Sequence, residues 1–234
     1  MENKGLIEKL IYDLRVYPNM GLDLYLQKCE ALRTLFKREQ DLSHALGINL
    51  EMRKKLNISL NNKAFTPREQ KQLLKKYWQT YLFAAPYCFH SYLLYMEKDR
   101  EPEKRFYQPR LKVLRDVVRD LQALADGKLM RLGLSMPPGT GKSTLGIFYI
   151  TWLMGREPLK PNLATAYADK LTRSFYDGAL QIIKDPEYNF RDIFPDSLLA
   201  ATNSKDETID LAKVKRFKTL TCRSIDSGLT GAKF

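Results

Sequence analysis

The residues best suited to chemistry are Gly139-Thr140-Gly141-Lys142-Ser143-Thr144. A polyphosphate needs many hydrogen-bond donors at once and tolerates no side-chain bulk beside it. Gly139 and Gly141 allow backbone N–H groups to turn inward as an anion-binding nest. A helix opening at Lys142 adds the positive end of its dipole. Lys142 is then the candidate catalytic residue, reaching the β- and γ-phosphates, and the Ser143 hydroxyl is the candidate Mg²⁺ ligand. Pro138, Gly139, Thr140, Gly141, Lys142, Ser143 and Thr144 together form the candidate nucleotide cradle, with ATP and Mg²⁺ as the expected ligands.

Such a loop must be positioned by a strand before it and a helix after it. The apolar run 132–136 reads as a buried strand, and Leu145 to Met154 as an apolar-periodic helix ending near Gly155. Strand, glycine loop, Gly-Lys-Ser and helix make the phosphate-binding unit of P-loop nucleotidases, although Met136 stands where the full pattern has Gly. Upstream, Phe106-Tyr107-Gln108-Pro109-Arg110 leads into a helix with Leu111, Leu114, Val117, Val118, Leu121 and Leu124 on one side, closed by Asp126-Gly127. A Gln amide both donates and accepts, so Gln108 reads either as an adenine contact or as a surface side chain.

Downstream, residues 162–167 read as a second buried strand, and Asp169 as the cap of a helix carrying Leu171, Phe175, Ala179 and Ile182. Strand and helix in alternation imply a parallel sheet. Residues 190–195 read as a loop. Residues 208–222 read as two short strands flanking the basic turn Lys213-Val214-Lys215-Arg216. A P-loop ATPase also needs an apolar strand ending in acidic residues that order Mg²⁺ and activate water. No such run lies downstream of Ser143, and Ile209-Asp210 lacks the apolar lead-in.

The first hundred residues read as helical, with Pro18 and Gly21 separating the first two segments and residues 57–63 as a loop. Thr66-Pro67-Arg68-Glu69 spells a helix start with a capping box. Tyr87, Phe89, Tyr92 and Tyr95 read as packing core ahead of a base-stacking surface, and 97–105 as a charged linker. The division expected is a helical region over 1–104 and a nucleotide-binding core over 105–234. The fold class expected is α/β: a helical N-terminal region followed by an incomplete P-loop NTPase parallel sheet with flanking helices.

Composition narrows the partners. A net charge of +12 and a pI near 9.5 suit a polyanion, nucleic acid ahead of an anionic membrane. Cys29, Cys88 and Cys222, with His44 and His90, are too scattered for a disulfide framework or a zinc site. No signal core or membrane-length apolar run is present, so a soluble chain without a membrane partner is expected.

The glycine loop and the segments downstream of it resemble the large terminase subunit of tailed bacteriophages. Met136-Pro137-Pro138 leading to Gly141-Lys142-Ser143 is the P-loop form many such proteins carry. Ala166-Tyr167-Ala168-Asp169, Asp185-Pro186-Glu187-Tyr188 through Ile193-Phe194-Pro195, and Gly228-Leu229-Thr230-Gly231 match further family segments over about 105–234. The resemblance implies an ATPase that drives double-stranded DNA into a capsid in the host cell cytoplasm. It also implies a nuclease domain, a small terminase subunit, a portal protein and a homo-oligomeric motor as partners. The acidic strand and nuclease domain would come after Phe234, so the chain reads as an N-terminal part. Alone, it is expected to bind ATP weakly, hydrolyse it negligibly and associate through an unpaired 132–135 edge. Thr140 stands where many family members carry Arg, which leaves Arg173, Arg223 and Lys233 as open alternatives for a transition-state cation. A helicase-like P-loop ATPase and a non-catalytic nucleic-acid-binding or assembly module are the other readings.

Overall fold

The computed structural model describes residues 3–17, 20–62 and 65–225. The expected features at Pro18, at Gly228 to Gly231 and at Lys233 lie outside the described residues. The chain divides into two compact units after Ala84, rather than after Lys104 as the charge pattern suggests.

The first unit is helical: α1 (Lys4–Val16), α2 (Leu22–Arg38), α3 (Leu42–Leu60) and α4 (Pro67–Ala84). Leu10, Leu32, Leu35, Phe36 and Ala45 form one apolar cluster, and Leu26, Cys29, Met52, Leu56 and Leu73 another. α3 continues to Leu60 through residues expected to be a loop, since Leu56 is fully buried and Leu60 packs on the second cluster. The capping box forms as spelled. Thr66 N–H donates to Glu69 Oε2 at 2.8 Å, and Glu69 N–H points back at Thr66 Oγ1 at 3.4 Å. A polar knot sits inside this unit: Arg33 donates to Asn49 Oδ1 (2.8 Å), while Asn49 and Arg53 both donate to the Thr80 carbonyl (2.8 Å each).

The second unit holds α5 (Phe89–Met96), a 3-10 turn (Pro102–Lys104), α6 (Tyr107–Ala125), α7 (Lys142–Arg156), β1 (Asn162–Ala166), α8 (Asp169–Lys184), α9 (Phe190–Ile193), β2 (Leu199–Asn203), β3 (Thr208–Leu211) and β4 (Leu220–Ser224). The architecture is mixed α/β with a four-stranded sheet in the order β1-β4-β3-β2. Only β1 and β4 are parallel; β4–β3 and β3–β2 are antiparallel. The sheet is therefore mixed, not the all-parallel one expected. The reason is local: β2, β3 and β4 succeed one another through short turns, which can only reverse direction.

A second correction concerns residues 132–136. They alternate half-buried and exposed as a strand would, but form no ladder with any described residue. A strand exists only through its partner's backbone, which sequence periodicity cannot supply. Residues 190–193, expected as loop, form the short α9, because Phe190, Ile193 and Phe194 are all buried.

The aromatic segment explains where the boundary falls. Phe89 and Tyr92 are fully buried, and Tyr92 OH lies 2.9 Å from Thr151 Oγ1 on α7. Trp152 is fully buried, stacks near Phe89 and donates its indole N–H to the Ala85 carbonyl at 2.9 Å. These contacts bind the start of the second unit to α7, well before residue 105. Close approach at the other end of α7 relies on Gly155: a Cβ there would lie 2.3 Å from Phe194 Cδ2.

Trp152→Ala is expected to lower unfolding stability by about 3–5 kcal/mol, with Trp152→Phe costing less but leaving the Ala85 carbonyl unpaired. Urea titration followed by far-UV circular dichroism checks this. A loss below about 1 kcal/mol for the alanine variant would contradict the packing described.

Candidate nucleotide site

The loop takes the conformation its glycines permit. Gly139 has φ +80° and Gly141 φ +92°, both in the left-handed region. Between them Thr140 folds back, its hydroxyl donating to the Pro137 carbonyl at 2.8 Å. Gly141 is the N-cap of α7, and no side chain caps that helix. The first helical bond runs from Leu145 N–H to Gly141 O at 2.9 Å, so the amides of Lys142, Ser143 and Thr144 precede the ladder. Pro138, Gly139, Lys142, Ser143 and Thr144 are exposed, and Thr140 and Gly141 are half-buried. Lys142 and Ser143 enter no side-chain hydrogen bond or ion pair among the described residues. The arrangement gathers backbone donors, a free ammonium and a free hydroxyl at one helix end. It can hold an anion with several oxygens.

What fixes the loop's position leaves no mark in the sequence. The Phe106 ring lies directly beneath Gly141, where a Cβ would come within 2.4 Å of Phe106 Cε2. The same ring stacks on Phe148 of α7, with centroids 5.6 Å apart and planes 13° apart. By contrast nothing lies within 4 Å of a Cβ built on Gly139. One face of the loop is packed and the other is open.

Phe106 is held in turn by Glu97. This carboxylate is only 3% exposed and accepts from the Phe106 N–H (2.8 Å) and the Tyr107 N–H (3.0 Å), closing the start of α6. Burial pushes the Glu97 carboxyl above its ordinary range, against the pull of those two amides and of Arg100 and Arg105. The expected charged linker therefore contains a buried structural carboxylate. Its signal is hidden because its partners are backbone amides about ten residues on.

Gln108 is exposed at the opening of α6, two residues beyond the ring that supports the loop. Its oxygen accepts from Arg105 Nη1 at 2.7 Å, while Arg105 is itself anchored on the carbonyls of Arg100 (2.9 Å) and Lys98 (3.0 Å). Arg110 lies over the Phe106 ring at 5.2 Å and donates to its carbonyl. Arg105 is therefore the side chain that engages Gln108, while Arg110 packs on Phe106.

The remaining candidates are otherwise engaged. Arg173 pairs with Asp177 at 3.0 Å and donates to the Ser204 carbonyl at 2.7 Å. Arg223 lies 3.8 Å from Asp206. Asp169 does not cap α8, whose N-cap is Ala168; its carboxylate accepts instead from the Ser224 hydroxyl at the end of β4. Asp210 is 1% exposed and bonded within its own turn. Cys29, Cys88 and Cys222 are free thiols. No cluster of three or more His, Cys, Asp or Glu suited to a metal occurs among the described residues, and no described helix is long and apolar enough to cross a membrane. No protein-family model, curated protein or solved structure matches the chain.

Gly141→Ala is expected to destabilise the fold more than Gly139→Ala, which meets open space and suffers only the left-handed penalty of about 1–2 kcal/mol. Adding Phe106→Ala should relieve the steric part of Gly141→Ala, so the double variant loses less than the two single losses combined. Additive losses in urea unfolding would mean the ring does not press on the glycine.

Proposed function

We propose that this chain binds the triphosphate of ATP at residues 138–144 and serves as the ATPase part of a DNA-packaging motor of the phage large-terminase type. The observation that supports it best is the uncapped start of α7, reached through two left-handed glycines, with Lys142 and Ser143 exposed beside it. Lys142 would neutralise the β/γ-phosphate oxygens, and the amides of 139–144 would cradle them. Ser143 would hold Mg²⁺ through its exposed hydroxyl, a hard oxygen donor of the kind that ion takes. When bound, Mg²⁺ neutralises charge on the transferring phosphoryl group. Gln108, exposed at the start of α6 and bonded to Arg105, is the proposed adenine contact.

Double-stranded DNA is the proposed polyanionic partner, in keeping with the net charge of +12. The small terminase subunit, the portal protein and further copies of the chain belong to the same proposal by resemblance, as does action in the host cell cytoplasm. A binding module without turnover is a second reading. It is favoured by the engagement of Asp210 in its own turn, which leaves that acid unsuited to activating water. Under either reading the run 132–135, unpaired among the described residues, would promote self-association.

Lys142→Ala is expected to weaken Mg²⁺–ATP binding by roughly 10- to 100-fold, the worth of one charge-assisted hydrogen bond. Equilibrium binding of a fluorescent ATP analogue measures this. Unchanged affinity would overturn the nucleotide reading. Turnover by the purified chain is expected well below about one per second, the low end of ordinary enzymes.

A further inference from the structure

The turn between β3 and β4, residues 212–219, carries Lys213, Lys215, Arg216 and Lys218 and is held by an unusual amount of buried bonding. Asp210, at the end of β3, is 1% exposed. It receives Lys218 Nζ at 2.9 Å, the Thr219 N–H at 3.3 Å and the Lys215 N–H at 3.3 Å. Thr219 is fully buried; its hydroxyl meets the Leu211 N–H (3.0 Å), Lys215 Nζ (2.6 Å) and the Pro158 carbonyl (2.8 Å). Lys215 Nζ also donates to the Pro158 carbonyl. Ala212 opens the turn at φ +62°, a left-handed conformation that a non-glycine residue adopts only under surrounding constraint.

The scaffold does not neutralise what it holds. Lys215 Nζ is bound by neutral oxygens, and burial lowers its pKa against the pull of Asp210. Lys213 and Arg216 are exposed and have no carboxylate within 4.0 Å among the described residues. Of the turn's four cations only Lys218 is paired with a carboxylate among the described residues, in a turn whose backbone is fixed beforehand. With the backbone already ordered, only the side chains of Lys213 and Arg216 lose freedom when an anion arrives.

We propose that this turn is a phosphate-backbone contact for duplex DNA. Duplex is favoured over single strands by the aromatic inventory. Phe217 is the turn's one aromatic ring and is 39% exposed; the Arg216 guanidinium lies 5.7 Å from its centroid. One ring cannot stack successive bases, as single-strand sites do. An anionic membrane is a poorer match, because Val214 and Phe217 are the turn's only exposed large apolar side chains, short of the continuous apolar face an inserting segment needs.

The turn is remote from the nucleotide loop. Lys142 opens α7, which is about 22 Å long, and Pro158 lies just past its other end. The assignment shares with the reading above the premise that the partner is DNA, but makes no use of the nucleotide.

The test is fluorescence anisotropy of a labelled random-sequence duplex against the full chain across a salt series. In K213A/R216A, affinity is expected to fall roughly tenfold or more near 0.1 M salt, and the slope of log K against log salt to shrink by about 1.8. These residues are not part of the scaffold, so the melting transition should be unchanged. The charge-keeping K213R/R216K should stay within about twofold of the parent. Lys142→Ala and, as a basic control on α4, K71A/K75A should do the same. The proposal is overturned if the chain does not bind the duplex, if K213A/R216A binds like the parent, or if the control loses as much. Loss of binding to phosphatidylserine vesicles with duplex affinity intact would also overturn it. Failure of ATP binding with a normal response at 213 and 216 removes only the nucleotide reading. Normal ATP binding with no response at 213 and 216 removes only this one.

Discussion

The contact between the Phe106 ring and the bare Cα of Gly141 is what the candidate site depends on. An anion-binding loop works when its amides already point at the ligand, since amides that must be ordered on binding lose much of their worth. Glycines supply the required left-handed conformation but no rigidity. Rigidity has to come from outside the loop, and here it comes from an aromatic ring pressed against the glycine face. The ring is fixed twice: by stacking on Phe148 of the helix that the loop opens, and by the backbone bond from its own amide to Glu97. Removing any one of these loosens the others.

Glu97 shows how such a clamp is built from a costly part. A buried carboxylate is unfavourable unless its oxygens are satisfied, and here the satisfying donors are the first amides of α6. Those amides need an acceptor in any case, because nothing inside the helix can bond them. One group's unmet requirement closes the other's. Burial still leaves the carboxyl raised above its ordinary range. Asp210 repeats the device at the β3–β4 turn, where a buried carboxylate gathers two amides and an ammonium to hold a surface feature in shape.

Sequence reading locates what local chemistry determines. The capping box at Thr66 and Glu69, the start of α7 after Gly141, and the strand pair around the basic turn all arise from residues within a few positions of one another. It misses what depends on distant partners. Residues 132–136 have the apolar alternation of a strand, yet pairing is a property of two segments and none of the described ones pairs there. β2, spelled Leu-Ala-Ala-Thr-Asn, has little strand character of its own and exists because β3 lies beside it. Glu97 looks like one charge in a charged run, and only its amide partners reveal its burial. Within the candidate site, Gly139 to Ser143 are legible because their glycine spacing and helix start are local features of the sequence. Phe106 is not, because packing against a glycine leaves no pattern.

The central claim is that the backbone of this loop receives polyphosphate. Amide resonances of an isotope-labelled chain, followed by NMR during titration with Mg²⁺–ATP, test it most directly. The account predicts saturable shifts concentrated at Gly139, Gly141, Lys142, Ser143 and Thr144, with smaller ones at Phe106 and Gln108. Saturable shifts confined to other parts of the chain, or none at all at millimolar nucleotide, would contradict it.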